Sequence, residues 1–205
     1  MMSIQTIEED EMVATFLKAE INSPRWKESI TNSLAQYGKD RRLIDQPDLM
    51  NPDDNVTRSH VLGSYRGYKL NKCLFIDFPN DVQWQKVVLD TKDLRCIRYL
   101  KNCPAWSELS GGTLLAADAA RRIQDGIINT EKVKEVINDI RSAVELLKNG
   151  QSFPEIILVA QSDFNQPIVL EGHVRLTAYL LIPSGAPISA ILGYSSSLWK
   201  WERLW

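Results

Sequence analysis

Near the carboxyl end of the chain, Glu171-Gly172-His173-Val174-Arg175 place a carboxylate, a glycine, an imidazole and a guanidinium within one turn. They follow the apolar run Ile168-Val169-Leu170 and precede Val174, Ala178 and Leu181 at helical spacing, so a strand-to-helix junction is expected. The first backbone N–H groups of a helix have no partner within it, and an anion suits that end. Gly172 permits a sharp turn and a close approach to the backbone, while His173 and Arg175 add donors and positive charge. Glu171 can hold magnesium, accept a hydrogen bond from a sugar or nucleophile hydroxyl, or orient Arg175. Thr177 adds a hydroxyl. This is a phosphate site in outline, with Gly172, His173, Arg175 and Thr177 as binding residues and Glu171 and His173 as catalytic candidates. Each also has a structural alternative: an Arg175–Glu171 salt bridge, a His173 hydrogen bond to backbone, a capping carboxylate at Glu171.

Other residues are weaker candidates. Arg121-Arg122 can complete an anion site or be solvated on a helix exterior. His60 shares a polar region with Arg41, Arg42, Arg58 and Arg66, which suits a lid over a nucleotide, a patch for nucleic acid, or a solvated loop. Ser110-Gly111-Gly112-Thr113 lacks the lysine of a phosphate-binding loop of the Walker type and reads as a turn and helix cap. Trp199, Trp201 and Trp205 suit either stacking on bases or packing on the core.

The run Ile168 to Tyr179, IVLEGHVRLTAY, is similar to the signature of the ParB/sulfiredoxin superfamily: apolar residues, an acidic residue, glycine, a variable pair and an arginine that opens a small-residue helix. The preceding strand, Phe153-Pro154-Glu155-Ile156-Ile157-Leu158-Val159, fits too, and the resemblance spans about residues 130–193. It implies nucleotide binding, with sulfinic acid reduction, CTP hydrolysis, free-serine phosphorylation or nuclease activity in different members. His173 stands where sulfiredoxins carry their catalytic cysteine, so reductase chemistry is not expected. A dozen residues follow Leu192, too few for the helix-turn-helix domain of partitioning proteins. The expected protein is a phosphoryl-transfer enzyme, an ATPase or small-molecule kinase, using ATP or another nucleoside triphosphate and magnesium held through Glu171. The alternatives are a non-catalytic nucleotide-responsive interaction module, with a protein partner, or a ParB-like nuclease that binds DNA.

These residues require a scaffold of α/β (mixed α+β) class: a ParB/sulfiredoxin-like module over 130–205, helices over 1–38, and a loop- and strand-rich extension over 39–129 on the same core. Thr6–Ala19 and Trp26–Tyr37 are expected as helices, the second capped by Ser23-Pro24. Residues 39–59 read as a long loop. Tyr65–Tyr68, Cys73–Phe78 and Trp84–Leu89 read as strands, 93–99 as either helix or strand, and Leu114–Ile123 as a helix after a glycine turn. Thr130 caps a helix with Val133, Val136, Ile137, Ile140, Val144 and Leu147 on one stripe, ended by Gly150. Strands follow at Ile156–Ala160 and Pro167–Leu170 around a turn at Asp163–Gln166, then a helix over Val174–Leu181 broken at Pro183, and a strand over Ile188–Leu192.

A chain of 205 residues, 44% hydrophobic, can bury one substantial core. With 24 basic against 26 acidic side chains, overall charge gives no drive toward nucleic acid. Cys73, Cys96 and Cys103 lack zinc-site spacing and read as buried reduced thiols. The first ten residues carry no apolar run of the secretory type, and no stretch is apolar enough to span a bilayer, so a cytoplasmic protein without a membrane partner is expected.

Overall fold

The computed structural model describes residues 2–128, 130–161, 166–182 and 186–201. They form a mixed α/β structure around a five-stranded sheet in the order β1-β2-β5-β3-β4: β1 (Met2–Ile7), β2 (Gln83–Leu89), β3 (Ile156–Ala160), β4 (Ile168–Glu171) and β5 (Ile188–Tyr194). β3 runs parallel to β5 and antiparallel to β4, and β2 joins β1 and β5 antiparallel. All five residues of β3 are buried. That unbroken apolar run is what a strand covered on both faces requires.

The strand period of two divides the core. Ile157 and Val159 pack with Phe16, Leu17, Ile30 and Leu62 from α1 (Glu9–Glu20), α2 (Lys27–Gln36) and α4 (Pro52–Arg66), beside the short α3 (Arg42–Asp45). Ile156 and Leu158 pack on the other side with Leu94, Leu109, Ala119, Ile140 and Leu176, from α5 (Thr91–Arg95), α6 (Pro104–Leu109), α7 (Ala116–Gln124), α8 (Glu131–Lys148) and α9 (His173–Leu181). The edge beyond β4 is extended by Arg98, whose N–H donates to Pro167 O at 2.9 Å and whose carbonyl accepts from Val169 N at 2.9 Å. Tyr99 N donates to Leu114 O at 2.7 Å, so the segment around 97–99 is neither of the regular elements expected there, although α5 precedes it. No described helix is long and apolar enough to cross a membrane.

The strands and helices from β3 to β5 lie close to their expected places, and so do β2 and α8. The turn at Asp163–Gln166 and the break at Pro183 fall on residues that, apart from Gln166, lie outside the described set. Elsewhere the fold corrects the sequence. Residues 2–7 form β1, so the first helix begins only at Glu9, and α2 begins after the turn closed by Lys27 N on Ser23 O at 2.9 Å. The second half of the expected loop is α4, fifteen residues capped by Asn51, whose side chain accepts from Asp53 N at 3.1 Å and Asp54 N at 3.3 Å, with Pro52 opening the helix. Tyr65 and Arg66 end α4, and Cys73–Phe75 form a single 3-10 turn, so neither region is a strand. Cys73 and Cys96 are exposed and Cys103 is half-buried, against the expectation of buried thiols. Trp201 is fully buried and its Nε1 donates to Leu74 O at 3.0 Å, so it packs on the core; Trp199 is exposed, and Trp205 lies outside the described residues.

Candidate functional site

The junction from β4 to α9 forms as the sequence predicts. Gly172 at the start of α9 has φ of 104°, a left-handed conformation that favours glycine. A Cβ there would lie 2.7 Å from Ile156 Cγ2 and 3.0 Å from Arg175 Nη2, so the space opened by the glycine is filled by protein packing. Among the described residues no side chain caps α9. The partial positive charge at that end of the helix favours an anion.

Arg175 is 8% exposed and largely committed. Its Nη2 donates to Glu171 Oε1 at 2.8 Å, and its Nη1 donates to Pro154 O at 2.6 Å and more weakly to Glu155 O at 3.4 Å. It thus ties the entry to β3 to the β4–α9 turn and holds the Glu171 carboxylate. Thr177, fully buried, donates to His173 O at 2.8 Å and meets the Tyr99 hydroxyl at 2.6 Å. Its hydroxyl faces the protein interior. Burial raises the Tyr99 pKa, so the phenol keeps its proton at neutral pH.

His173 sits in an aromatic bracket, with ring centroids 5.8 Å from Tyr99 at an interplanar angle of 14° and 5.2 Å from Trp106. Burial, reinforced by the positive charges of Arg66 and Arg175, pushes its pKa down to about 3, so the ring is neutral at physiological pH. Its Nε2 is buried and without a hydrogen-bond partner among the described residues. An unpartnered buried polar atom at the open end of a helix is the feature of this turn that internal structure does not satisfy.

A second group of charges is gathered by the N-terminal helices. Glu20 ends α1 and is 3% exposed. Tyr65 Oη donates to its Oε2 at 2.7 Å, Arg66 Nε donates to the same oxygen at 3.2 Å, and Arg66 Nη2 donates to Oε1. The Arg66 guanidinium lies 4.4 Å from the centroid of the Trp26 ring, a cation–π arrangement. Gly67 fixes this arrangement by closing α4 at φ 81°, where an added Cβ would stand 2.1 Å from Lys72 O. Burial pushes the Glu20 carboxyl up to about 7; Arg66 opposes that rise and the charge of Glu171 adds to it. Glu20 and Arg66 therefore lie within electrostatic reach of Glu171 and His173.

The remaining candidates are placed elsewhere or bound locally. His60 is exposed on α4, its ring tilted by 32° against Tyr37 with centroids 5.7 Å apart. Arg121 is exposed and pairs with Asp118 at 3.0 Å, and Arg122 Nε donates to Leu109 O at 3.1 Å beneath the glycine turn. Arg41 pairs with Asp45 and Arg42 with Asp40, each at 2.7 Å, as local ion pairs on the exposed surface. Arg58 is buried against Leu43 O and Asp48 O and lines a polar cavity of about 330 Å³ with Lys39, Asp40 and Asp54. Ser110-Gly111-Gly112-Thr113 forms the expected turn, with Ser110 Oγ accepting from Leu114 N at 2.9 Å and Thr113 Oγ1 from Leu115 N at 3.2 Å, but among the described residues no side chain caps α7, against the expectation of a helix cap.

Tyr99 and Trp106, which bracket His173, and the hydrogen-bonded Glu20 and Tyr65 are residues that sequence reasoning passes over. A signal for Glu20 exists: it falls four residues after Phe16 and three after Leu17, a carboxylate placed on the apolar stripe of α1. Comparison of the chain with protein-family models, curated proteins and solved structures finds no match.

Proposed function

We propose that this protein is a nucleotide-binding phosphoryl-transfer protein of ParB/sulfiredoxin type, an ATPase or small-molecule kinase, with the phosphates of its ligand at the start of α9. The observation that carries this reading is the uncapped start of α9 beside the buried, unpartnered Nε2 of His173. Main-chain amides at the start of the helix would receive phosphate oxygens, and neutral His173 would contribute a polar atom without adding charge. Arg175 acts as a positioning residue, holding Glu171 and the entry to β3 in register. Glu171, half-buried, would orient a hydroxyl or water nucleophile, so rate enhancement comes from placement and electrostatics.

Among the described residues no group of three His, Cys, Asp or Glu side chains could hold a metal. Magnesium bound with a nucleotide needs few protein donors, because phosphates and water supply most of its ligands. Glu171 is the carboxylate placed to add one. The metal would offset phosphate charge; the protein groups bind and orient.

Calorimetric titration of ATP, CTP and GTP with magnesium, alongside a phosphate-release assay, tests the proposal. Saturable binding with turnover, and Glu171→Gln losing turnover while affinity stays within about threefold, are the expected results. Absence of binding to the folded wild type overturns it. One observation favours a second reading, a non-catalytic nucleotide-responsive module: Arg175 already engages the Glu171 carboxylate at 2.8 Å. Binding without turnover in the wild type selects that reading.

A further inference from the structure

We infer that the cavity lined by Arg58 and Asp48 binds a small zwitterion of the α-amino acid class, its carboxylate toward Arg58 and its ammonium toward Asp48. The site is separate from the start of α9, because α2, α3 and α4, which surround the cavity, pack on the opposite face of the sheet. Its volume of about 330 Å³ falls within the range of pockets that hold small ligands. Its frame is fixed by the chain itself. Lys39 N donates to Leu34 O at 3.0 Å and closes the turn after α2. The stretch leading into α4 is tied to that helix, with Asn55 Nδ2 donating to Leu49 O at 2.8 Å, Arg58 Nη1 to Leu43 O at 3.2 Å and Arg58 Nη2 to Asp48 O at 2.9 Å. Walls held in this way lose little freedom when a ligand enters.

The charges on the wall define the ligand. Lys39, Arg42 and Arg58 face Asp40, Asp48 and Asp54, three basic groups against three acidic. Four of these are committed to each other: Lys39 pairs with Asp54 and Arg42 with Asp40, each at 2.7 Å. The two that remain have opposite signs. Arg58 is 1% exposed and forms no ion pair among the described residues; its acceptors are two main-chain carbonyls and the Asn55 amide oxygen, all neutral. Three of the five guanidinium N–H donors are thereby used, and the buried Nε has no partner among the described residues. The carboxylates of Asp54, Asp10 and Asp48 act on its charge from beyond ion-pair distance. A brace for loop carbonyls needs donors but not a full charge withdrawn from water, which is costly unless paired. A ligand carboxylate supplies the missing counter-charge. Asp48 is exposed, its Oδ1 accepts from Met50 N at 3.0 Å, and it has no cationic partner among the described residues, so it suits an ammonium. A plain anion would add net charge to a balanced wall, whereas a zwitterion answers both unpaired groups.

The test is NMR titration of the wild-type protein with each of the twenty common L-amino acids, followed by titration of the best binder's des-amino carboxylate. At least one amino acid is expected to move, saturably, the backbone amide signals of Lys39, Gln46 and Asp48 together with the Nε–H of Arg58. The des-amino carboxylate is expected to bind more weakly. Asp48→Asn keeps an acceptor for Met50 N and is expected to weaken the amino acid roughly three- to tenfold while leaving the des-amino carboxylate unchanged. Arg58→Lys loses the planar fork and is expected to weaken both ligands roughly tenfold or more. Circular dichroism confirms the fold of each variant, and if Arg58→Lys fails to fold, the selectivity of Asp48→Asn decides. The inference is overturned if no amino acid moves these signals, if the des-amino carboxylate binds wild type as tightly as the amino acid, if Asp48→Asn leaves amino-acid affinity unchanged, or if a folded Arg58→Lys binds like wild type. Each of these outcomes leaves the reading of α9 where it stands, since that reading is tested with nucleotide.

Discussion

Two glutamate–arginine pairs, one at the start of α9 and one between α1 and α4, differ in how the chain brings them together. Glu171 and Arg175 are four residues apart and are joined by the geometry of one strand-to-helix turn. Glu20 and Arg66 are 46 residues apart and meet because α1 and α4 pack on the same face of the sheet. The local pair has side chains 16% and 10% exposed and its arginine also binds two main-chain carbonyls; the distant pair has a carboxylate only 4% exposed, whose ionisation depends on its partner. Charge assembled locally builds the turn. Charge assembled through tertiary packing titrates differently, because burial raises the Glu20 carboxyl to about 7.

The largest effect expected from breaking the comparison is at the distant pair. Arg66→Ala strands a buried carboxylate and should cost about 3–5 kcal/mol in urea denaturation, a cost that Glu20→Gln in the same chain should partly restore. At the local turn, Gly172→Ala imposes a left-handed backbone on a residue with a Cβ and drives that Cβ against Ile156, so a loss of about 2–4 kcal/mol is expected by the same measurement. Tyr99→Phe removes one hydroxyl from the floor of the site while Thr177 keeps its bond to His173 O, and should cost about 1 kcal/mol. Arg121→Ala, on the solvent face of α7, should stay within about 0.5 kcal/mol of wild type.

The pH dependence of stability separates the two regions. Glu20 has a folded pKa of about 7, raised above its unfolded value of about 4.3, so its contribution is fully present below the unfolded value and is lost as pH rises through 7. His173 has a folded pKa of about 3, below its unfolded value of about 6.5, so its contribution is present above the unfolded value and is lost as pH falls toward 3. Between about 4.3 and 6.5 the two slopes oppose each other. Denaturation across that window should show Glu20→Gln losing stability more steeply on acidification than wild type, and His173→Asn losing it more steeply as pH rises. A pair of variants with parallel profiles would contradict the assignment.

Much of the C-terminal half was legible because burial there is written in apolar runs. Ile156–Ala160 can be satisfied only between two covered faces, and Val133, Ile137, Ile140 and Val144 mark one side of α8. α4 was hidden because its buried face includes Asn55 and Arg58 along with Val61 and Leu62, so the hydrophobic period is broken by groups whose partners come from α3 and the loop after it. The Asn51-Pro52 cap was the surviving signal. The aromatics between 65 and 78 resemble strand composition, but they serve an aromatic cluster: Tyr68–Phe75 centroids are 5.0 Å apart and Phe75–Phe78 centroids 5.1 Å apart. Local sequence likewise marked the turn Glu171-Gly172-His173 and Arg175 after it, whereas Tyr99 and Trp106 reach His173, and Tyr65 reaches Glu20, through packing that no short window contains.

The most direct test of the central claim is residue-resolved NMR of the wild-type protein during titration with MgATP. The predicted result is saturable movement of the backbone amide signals of Gly172, His173 and Val174, because the start of α9 receives the phosphates. Movement confined to residues elsewhere, or spectra unchanged at millimolar nucleotide, would contradict it.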